Sequence, residues 1–250
     1  MERDTLRLAA VADIHVKKTS AGAMQPLFSK VTESADVLLL CGDLTDYGTP
    51  AEAKVLAKDI TSSLRIPVLA VLGNHDFESN QEREVVQILT DAGVVVLDGD
   101  SYELHGVGFA GVKGFAGGFG RRALGAWGEP IIKNFVHETI NETLKLEAAL
   151  ARLRTPQKIV LLHYSPIQAT VNGEPPEIIA FLGSSRLEEP LDRYRVNAVF
   201  HGHAHRGSPE GRTKGAVPVY NVAMTLLANA YPQQPPFRLF EVPLHSEAVA

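Results

Sequence analysis

The sequence feature that limits the possible folds of this chain most strongly is an alternation of two kinds of segment. Short runs rich in Val, Ile and Leu alternate with longer segments of helical periodicity. The runs LLL at 38–40 and IVLL at 159–162 are apolar at consecutive positions, which is typical of strands covered on both faces. The pattern predicts an α/β fold. Strands are predicted at 6–12, 37–41, 68–72, 94–97, 107–112, 158–163, 198–201, 217–221 and 237–242, and helices at 24–35, 50–65, 79–92, 131–153 and 184–194.

Composition bounds the organisation and partners of the chain. With 250 residues, 45% hydrophobic and 21% charged, it can bury a large core, and the absence of a repeat or linker predicts one domain over 1–250. The net charge of −5, without a run of Lys or Arg, argues against general nucleic-acid binding and against binding to an anionic membrane.

The cysteine content and the apolar runs suggest a compartment. Cys41 is the single cysteine and cannot form an internal disulfide, which favours a reducing environment. The first seven residues carry charges, and no apolar run approaches the ~20 residues of a membrane span. We therefore expect a cytoplasmic protein that is neither exported nor embedded in a membrane.

Polar side chains that can bind metal ions follow five of the predicted strands, in VADIH, CGDLTD, LGNHD, LLHYSP and VFHGHAH. Ligands of open α/β sheets bind outside the carboxyl ends of the strands, so these five ends can form one site. Carboxylate, imidazole and amide groups without thiolates suit Mn, Fe, Zn, Ni or Co and argue against a structural zinc site. The candidates outnumber the positions around one ion, which favours two. They are Asp13, His15, Asp43, Asp46, Asn74, His75, Asp76, His163, His201, His203 and His205.

In their order and wording, the five segments resemble the calcineurin-like metallophosphoesterase family: D-x-H at 13–15, G-D-x-x-D at 42–46, G-N-H-D at 73–76, a lone His at 163 and G-H-x-H at 202–205. The resemblance covers nearly the whole chain. It implies an α/β four-layer sandwich of two mixed β-sheets flanked by α-helices. It also implies that Asp13, His15 and His205 hold one metal ion, that Asn74, His163 and His203 hold a second, and that Asp43 bridges the two.

The resemblance also implies an activity. In this family a hydroxide that bridges two metal ions, with Mn, Fe or Zn expected here, attacks the phosphorus of a small phosphate ester. His75 matches the position that gives a hydrogen bond or proton to the departing oxygen, and Asp46 matches the residue that orients it. The phrase GDLTDYGTPAEA, followed by PVLAVLGNHD, resembles the cyclic-nucleotide phosphodiesterase branch and favours phosphodiesters or cyclic nucleotides.

Other functions compete with this interpretation. A phosphomonoesterase of the same family would share the motifs, and a catalytically inactive scaffold of the same fold is disfavoured because every ligand position is retained. A metal-dependent nuclease would need a basic groove, against which the net negative charge argues.

The remaining candidates have weaker arguments. We expect His201 to end a buried strand without binding metal and Asp76 to be a cap or turn residue. Gly202 and the small Ala204 should let the backbone turn at the strand's end, so that His203 and His205 need not share a face. Arg121 and Arg122 lie in a glycine-rich loop, 114–122, that could meet a substrate anion, and Tyr47, Tyr164 and the loop 164–178 could shape the pocket. Structural or solvent-exposed positions are expected for Cys41, His105, His137 and His245.

Overall fold

Two β-sheets pack face to face in the computed structural model, which describes residues 4–244. These residues form eleven strands and six α-helices. The strands are β1 (Thr5–Val11), β2 (Val37–Cys41), β3 (Val68–Val71), β4 (Val94–Val96), β5 (Asp100–Leu104), β6 (Val107–Gly111), β7 (Gln157–Leu161), β8 (Ala198–His201), β9 (Glu210–Arg212), β10 (Pro218–Asn221) and β11 (Arg238–Pro243). The helices are α1 (Gln25–Ser34), α2 (Pro50–Ser63), α3 (Glu82–Asp91), α4 (Pro130–Arg152), α5 (Glu188–Arg193) and α6 (Met224–Ala230).

Both sheets are mixed. The first has the order β11-β1-β2-β3-β4, with β1 to β4 parallel and β11 antiparallel to β1. The second has the order β5-β6-β7-β8-β10-β9, with a parallel centre of β6, β7, β8 and β10 and an antiparallel strand at each edge. The carboxyl ends of the parallel strands carry the loops that hold the polar motifs.

Three apolar clusters fill the space between four layers. In β2, Leu39 and Cys41 face the second sheet, whereas Leu38 and Leu40 pack beneath α1, α2 and α3. On the far side of the second sheet, Val160 packs in a cluster with residues of α4 and α5. Helices therefore cover the outer face of both sheets, which confirms the predicted four-layer sandwich. This double coverage is the physical reason for the consecutive apolar residues in the central strands.

All nine predicted strands are present, with ends within two residues of the prediction. The sequence did not predict β5, β9 or α6, and the predicted helix 184–194 is shortened to α5. The two missed strands are the edges of the second sheet and consist largely of exposed or half-buried polar residues, so they lack the apolar pattern. His105 and Gly106, both with positive φ, form the two-residue turn between β5 and β6.

Two further expectations concern positions away from the site. His105 and His137 are exposed and Cys41 is fully buried, as expected, whereas His245 lies outside the described residues. No helix within residues 4–244 combines the length and apolar character that crossing a bilayer would need.

Candidate metal centre

The predicted site residues meet where the parallel strands end. Asp13 and Asp43 each follow a central strand of the first sheet by two residues, and His163 and His203 do the same in the second sheet. The main-chain amides of Asp13 and His15 donate to the carbonyls of Gly42 and Asp43, at 3.0 Å each, and so tie the first two loops together. The crevice between the sheets thus collects the side chains that the sequence predicts to be near each other.

One group of possible ligands consists of Asp13, His15 and His205, whose ligand atoms all lie within 4.8 Å of one another. His205 Nε2 lies 3.0 Å from Asp13 Oδ1, and this contact raises the pKa of His205. The main-chain amide of His203 donates to both oxygens of Asp13, at 3.1 and 3.0 Å, which fixes that carboxylate. Nδ1 of His15 is buried and has no hydrogen-bond partner in the described part of the chain.

A second group consists of Asp43, His163 and His203, again with ligand atoms within 4.8 Å of one another. Nδ1 of the fully buried His163 donates to the carbonyl of Cys41 at 3.1 Å, and burial lowers the pKa of His163 well below its ordinary value. Nε2 of this neutral ring therefore carries a lone pair. It lies 2.9 Å from Asn74 Oδ1 and 3.3 Å from Asp43 Oδ1. These electron-rich atoms converge as the ligands of a cation do.

His203 is arranged in the same way. Its Nε2 donates to the carbonyl of Phe181 at 3.2 Å, which leaves the lone pair on Nδ1. Burial and the neighbouring His163 lower the pKa of His203 to about 3. Both histidines are thus held neutral, the form that binds metal ions.

Asp43 lies between the two groups. Its Oδ2 is 3.8 Å from Nε2 of His15, and its Oδ1 is 3.3 Å from Nε2 of His163. Burial and the nearby carboxylates of Asp13 and Asp76 raise the pKa of Asp43 to about 9. A cation bound between these carboxylates would offset their repulsion and stabilise their ionised forms. The donor set, the lone-pair geometry and this charge fit two metal ions.

The backbone is strained where these ligands stand. Eight residues other than glycine have positive φ in the described chain, and four of them are Asp13, His15, Asp43 and His203, with φ of 58°, 42°, 48° and 70°. Such conformations are uncommon for non-glycine residues and cluster at functional sites. These backbone conformations turn the side chains of adjacent loops towards one centre.

Two motif glycines are required for space. A Cβ on Gly73 would lie 2.2 Å from both the amide nitrogen and Oδ1 of Asp43, and one on Gly202 would lie 2.4 Å from Oδ2 of Asp13. The turn between His203 and His205 is made by His203 itself, whereas Gly202 is not among the positive-φ residues. Gly202 is therefore needed for the close approach of Asp13.

His75 projects beside both groups and forms a third set of close ligand atoms with His15 and Asp43. Its ring lies 4.6 Å from that of His15, and its Nε2 is 4.0 Å from Oδ2 of Asp43. Nδ1 of His75 lies 2.7 Å from the main-chain carbonyl of Asp46, to which it donates. Asp46 therefore contacts His75 as expected, but through its backbone, while its carboxylate lies 3.6 Å from Nδ1 of His15 and 3.5 Å from Nζ of Lys17.

Asp76 has a role that turn chemistry did not suggest. Its carboxylate is fully buried and accepts hydrogen bonds from the amides of Leu44, Thr45 and Gly73 and from the hydroxyl of Thr45, at 2.6 to 3.1 Å. It joins the loop after β2 to the loop after β3. The sequence feature that could have indicated this role is the acidic residue itself, which directly follows His75 in a tight turn.

The three histidines of HGHAH occupy different environments. His201 ends β8 and is fully buried; its Nδ1 contacts the carbonyl of Gly202 at 2.8 Å, and its Nε2 contacts the hydroxyl of Thr170 at 2.8 Å. Burial lowers its pKa to about 4. His203 and His205 belong to the two different ligand groups. The environment of His201 thus differs from those of the other two.

The other loop candidates lie at varying positions around the site. The ring of Tyr164 is buried and lies 4.5 Å from that of His203, so it borders the centre, whereas Tyr47 is 60% exposed. The glycine-rich segment is bonded through Gly117 and Gly118 to the segment 180–183, which includes the Phe181 carbonyl that contacts His203. Arg121 and Arg122 are exposed in this segment, and neither forms a hydrogen bond or ion pair through its side chain with residues 4–244.

Comparison with known proteins agrees with this arrangement. A family model described as calcineurin-like phosphoesterase matches residues 6–207, a range that includes all the ligand candidates. A probable glycerophosphodiester phosphodiesterase, GpdQ, of Arcobacter nitrofigilis is 25% identical over 205 residues, covering 78% of this chain and 67% of that protein. A probable cyclic nucleotide phosphodiesterase of Vesicomyosocius okutanii is 24% identical over 217 residues, covering 80% and 79%.

A solved structure shares the fold. The phosphopantetheinyl hydrolase PptH of Mycobacterium tuberculosis superposes with a TM-score of 0.66 at 16% sequence identity, covering 93% of this chain and 95% of that one. At this identity the likeness concerns the architecture of the sandwich.

Proposed function

This chain belongs to the calcineurin-like phosphoesterase family, and we propose that it hydrolyses phosphodiesters, cyclic nucleotides among them, at a centre of two metal ions. As a member of that family it is a metal-dependent phosphoric ester hydrolase. The observation that carries the dinuclear proposal is that two ligand groups lie on either side of one buried carboxylate, Asp43. The proposal of diesters over monoesters as substrates rests on the motif wording and on the names of the two relatives.

The ligands divide between the two ions. Asp13, His15 and His205 would hold one, and Asn74, His163 and His203 would hold the other. Asp43 would be shared. Mn, Fe or Zn suits this set of nitrogen and oxygen donors. When bound, such ions polarise the phosphoryl oxygens and lower the pKa of a bound water, which supplies the nucleophile near neutral pH.

The side chains then bind and move protons. Since Nδ1 of His75 donates to the Asp46 carbonyl, Nε2 is the atom that can carry a proton towards the departing oxygen. The Asp46 carbonyl fixes the ring, and the partly exposed position of His75 leaves room for the alcohol to depart. The Asp46 carboxylate lies 3.6 Å from Nδ1 of His15 and acts on that ring through its charge, without a hydrogen bond.

We infer that residues 1–250 act as one domain, because the apolar cluster between the two sheets contains residues of both. The buried, unpaired thiol of Cys41 suits a reducing compartment such as the cytoplasm.

The test is a comparison of rates with Mn supplied. An aryl phosphate monoester, an aryl phosphate diester, and 3′,5′- and 2′,3′-cyclic nucleotides are measured side by side, with Asp43→Asn as the inactive control. We expect turnover of the diesters or the cyclic nucleotides. Turnover of the monoester alone would make the chain a phosphomonoesterase. Less than about one bound transition-metal ion per chain, with no turnover of any ester, would instead indicate the scaffold.

A further inference from the structure

A cleft of about 450 Å³ opens beside the turn that carries His75. His75, Asp76 and Phe77 form a single turn of 3₁₀ helix, so the ring of Phe77 follows His75 by only two residues. Phe77 lines this cleft and is 38% exposed. The cleft therefore begins within one helical turn of the residue that we propose as the proton donor.

Apolar and charged side chains line the cleft in equal number. The apolar ones are Leu72, Val86, Val96 and Leu97 together with Phe77. Among the charged ones, three acids, Glu82, Asp98 and Asp100, outnumber the two bases, Arg83 and Lys113. A second phosphate would meet this excess of acids, whereas a neutral planar group would fit between the apolar walls. The volume lies within the range of small-molecule sites.

Lys113 supplies the polar group of the cleft. Its ammonium lies 5.4, 4.9 and 5.3 Å from the ring centres of Phe77, Phe115 and Tyr164. It donates to the carbonyl of Gly114 at 2.9 Å. No other hydrogen bond and no ion pair within 4.0 Å is formed by this ammonium with residues 4–244. Two of its three N–H donors are thus available to an acceptor in the cleft.

The main chain of Lys113 connects the cleft to the metal centre. Its carbonyl accepts the amides of His163, at 3.0 Å, and Tyr164, at 3.1 Å. The ring of Tyr164 separates the Lys113 ammonium from His203. Lys113 therefore lines the cleft with its side chain and holds the loop of His163 through its main chain.

On the basis of the proposed phosphodiesterase function, we propose that this cleft binds the nucleobase of a nucleotide ester. The base stacks on Phe77, and Lys113 donates to a ring nitrogen or carbonyl on the edge of the base. Such stacking tolerates any base, because each has a π-face. The cleft thereby favours nucleotide esters over esters of aliphatic alcohols such as glycerol.

Binding is tested without turnover. Adenosine and glycerol are titrated into the metal-free protein and followed by ligand-observed NMR. The variants are Phe77→Leu, which keeps apolar bulk but removes the ring, Lys113→Met, Lys113→Arg and the exposed control Lys58→Met. We expect adenosine alone to bind. Its affinity should fall roughly 5- to 10-fold in Phe77→Leu and several-fold in Lys113→Met, recover in Lys113→Arg and stay unchanged in Lys58→Met.

Kinetics give an independent readout. In Phe77→Leu the ratio of kcat/KM for a cyclic nucleotide to that for a glycerophosphodiester should fall, mainly through KM. Equal adenosine affinity in wild type and Phe77→Leu, or no adenosine binding to wild type, would overturn the inference even if diesters are hydrolysed. Adenosine binding that depends on Phe77, in a protein that hydrolyses no ester, would support the cleft and overturn the proposed function.

Discussion

At the scale of single residues, identical side chains acquire different roles from their hydrogen bonds. His201 has both ring nitrogens engaged by the protein, so no lone pair is left for a cation. His163 and His203 each donate one N–H to a carbonyl and keep the other nitrogen free. His75 donates to the Asp46 carbonyl in the same way but lies in the open crevice. A carbonyl acceptor thus selects the tautomer in all four of these rings.

Replacing His75 separates catalysis from metal binding. We expect His75→Ala to keep its metal content and to lose about 10²- to 10⁴-fold in kcat, because a positioned proton donor contributes that much. Metal content by elemental analysis and kcat on an aryl diester are the measurements, with His137→Ala on the exposed face of α4 as the control. A simultaneous loss of metal would make His75 a ligand, in the group that it forms with His15 and Asp43.

At the scale of elements, the site depends on the loops after β2 and β3 being joined. Asp76 makes this joint with four hydrogen bonds to the two loops, in a place where the surrounding groups are all donors. Asp43 lies in the first loop, and Asn74 and His75 in the second. The main-chain amide of His75 donates to Asp43 Oδ1 at 2.9 Å, so a shift of one loop moves both ligand groups.

Changing Asp76 to Asn should therefore disturb stability and activity together. The amide would place an N–H₂ group against at least one pair of N–H or O–H donors. We expect Asp76→Asn to lose about 2–4 kcal/mol of unfolding free energy in urea. The exposed Asp91→Asn, whose oxygen can still accept from Gln87, is the matched control. If both variants unfold at the same urea concentration, Asp76 does not join the loops.

At the scale of the whole molecule, two sheets must close on each other before the centre exists. Asp13 and Asp43 come from the first sheet, and His163, His203 and His205 follow strands of the second. Metal ions that bind all of them bind only the folded sandwich, and such binding stabilises the folded state by mass action. Metal binding and the packing of the sheets are therefore coupled.

Removing the metal should lower the melting temperature. With Mn at about 100 times its dissociation constant, binding adds ~2.7 kcal/mol, so chelation should lower Tm by about 5–10 °C for a domain of this size. His201→Asn should show the same difference between loaded and chelated protein, whereas His203→Asn should show a much smaller one. Differential scanning fluorimetry measures all three proteins. An equally small difference in His201→Asn would place His201 among the ligands.

Much of the fold followed from local pattern. The nine apolar strands and the double coverage of the sheets could be predicted, because hydrophobic periodicity is written directly in consecutive residues. The edge strands β5 and β9 could not, since an edge strand is defined by the neighbour that it pairs with. Their polar residues would suit a loop equally well. These segments are strands because β6 and β10 supply their hydrogen-bond partners.

Which residues could form the centre could be predicted from the sequence, because residue type fixes ligand chemistry and strand ends fix where the loops meet. How each of them is used depends on the tertiary fold. It placed the main-chain carbonyl of Asp46, and not its carboxylate, against His75; it buried Asp76 among donors; and it brought Gly202 against Asp13. These contacts join loops that are far apart in the chain, and their geometry is set by how the two sheets pack.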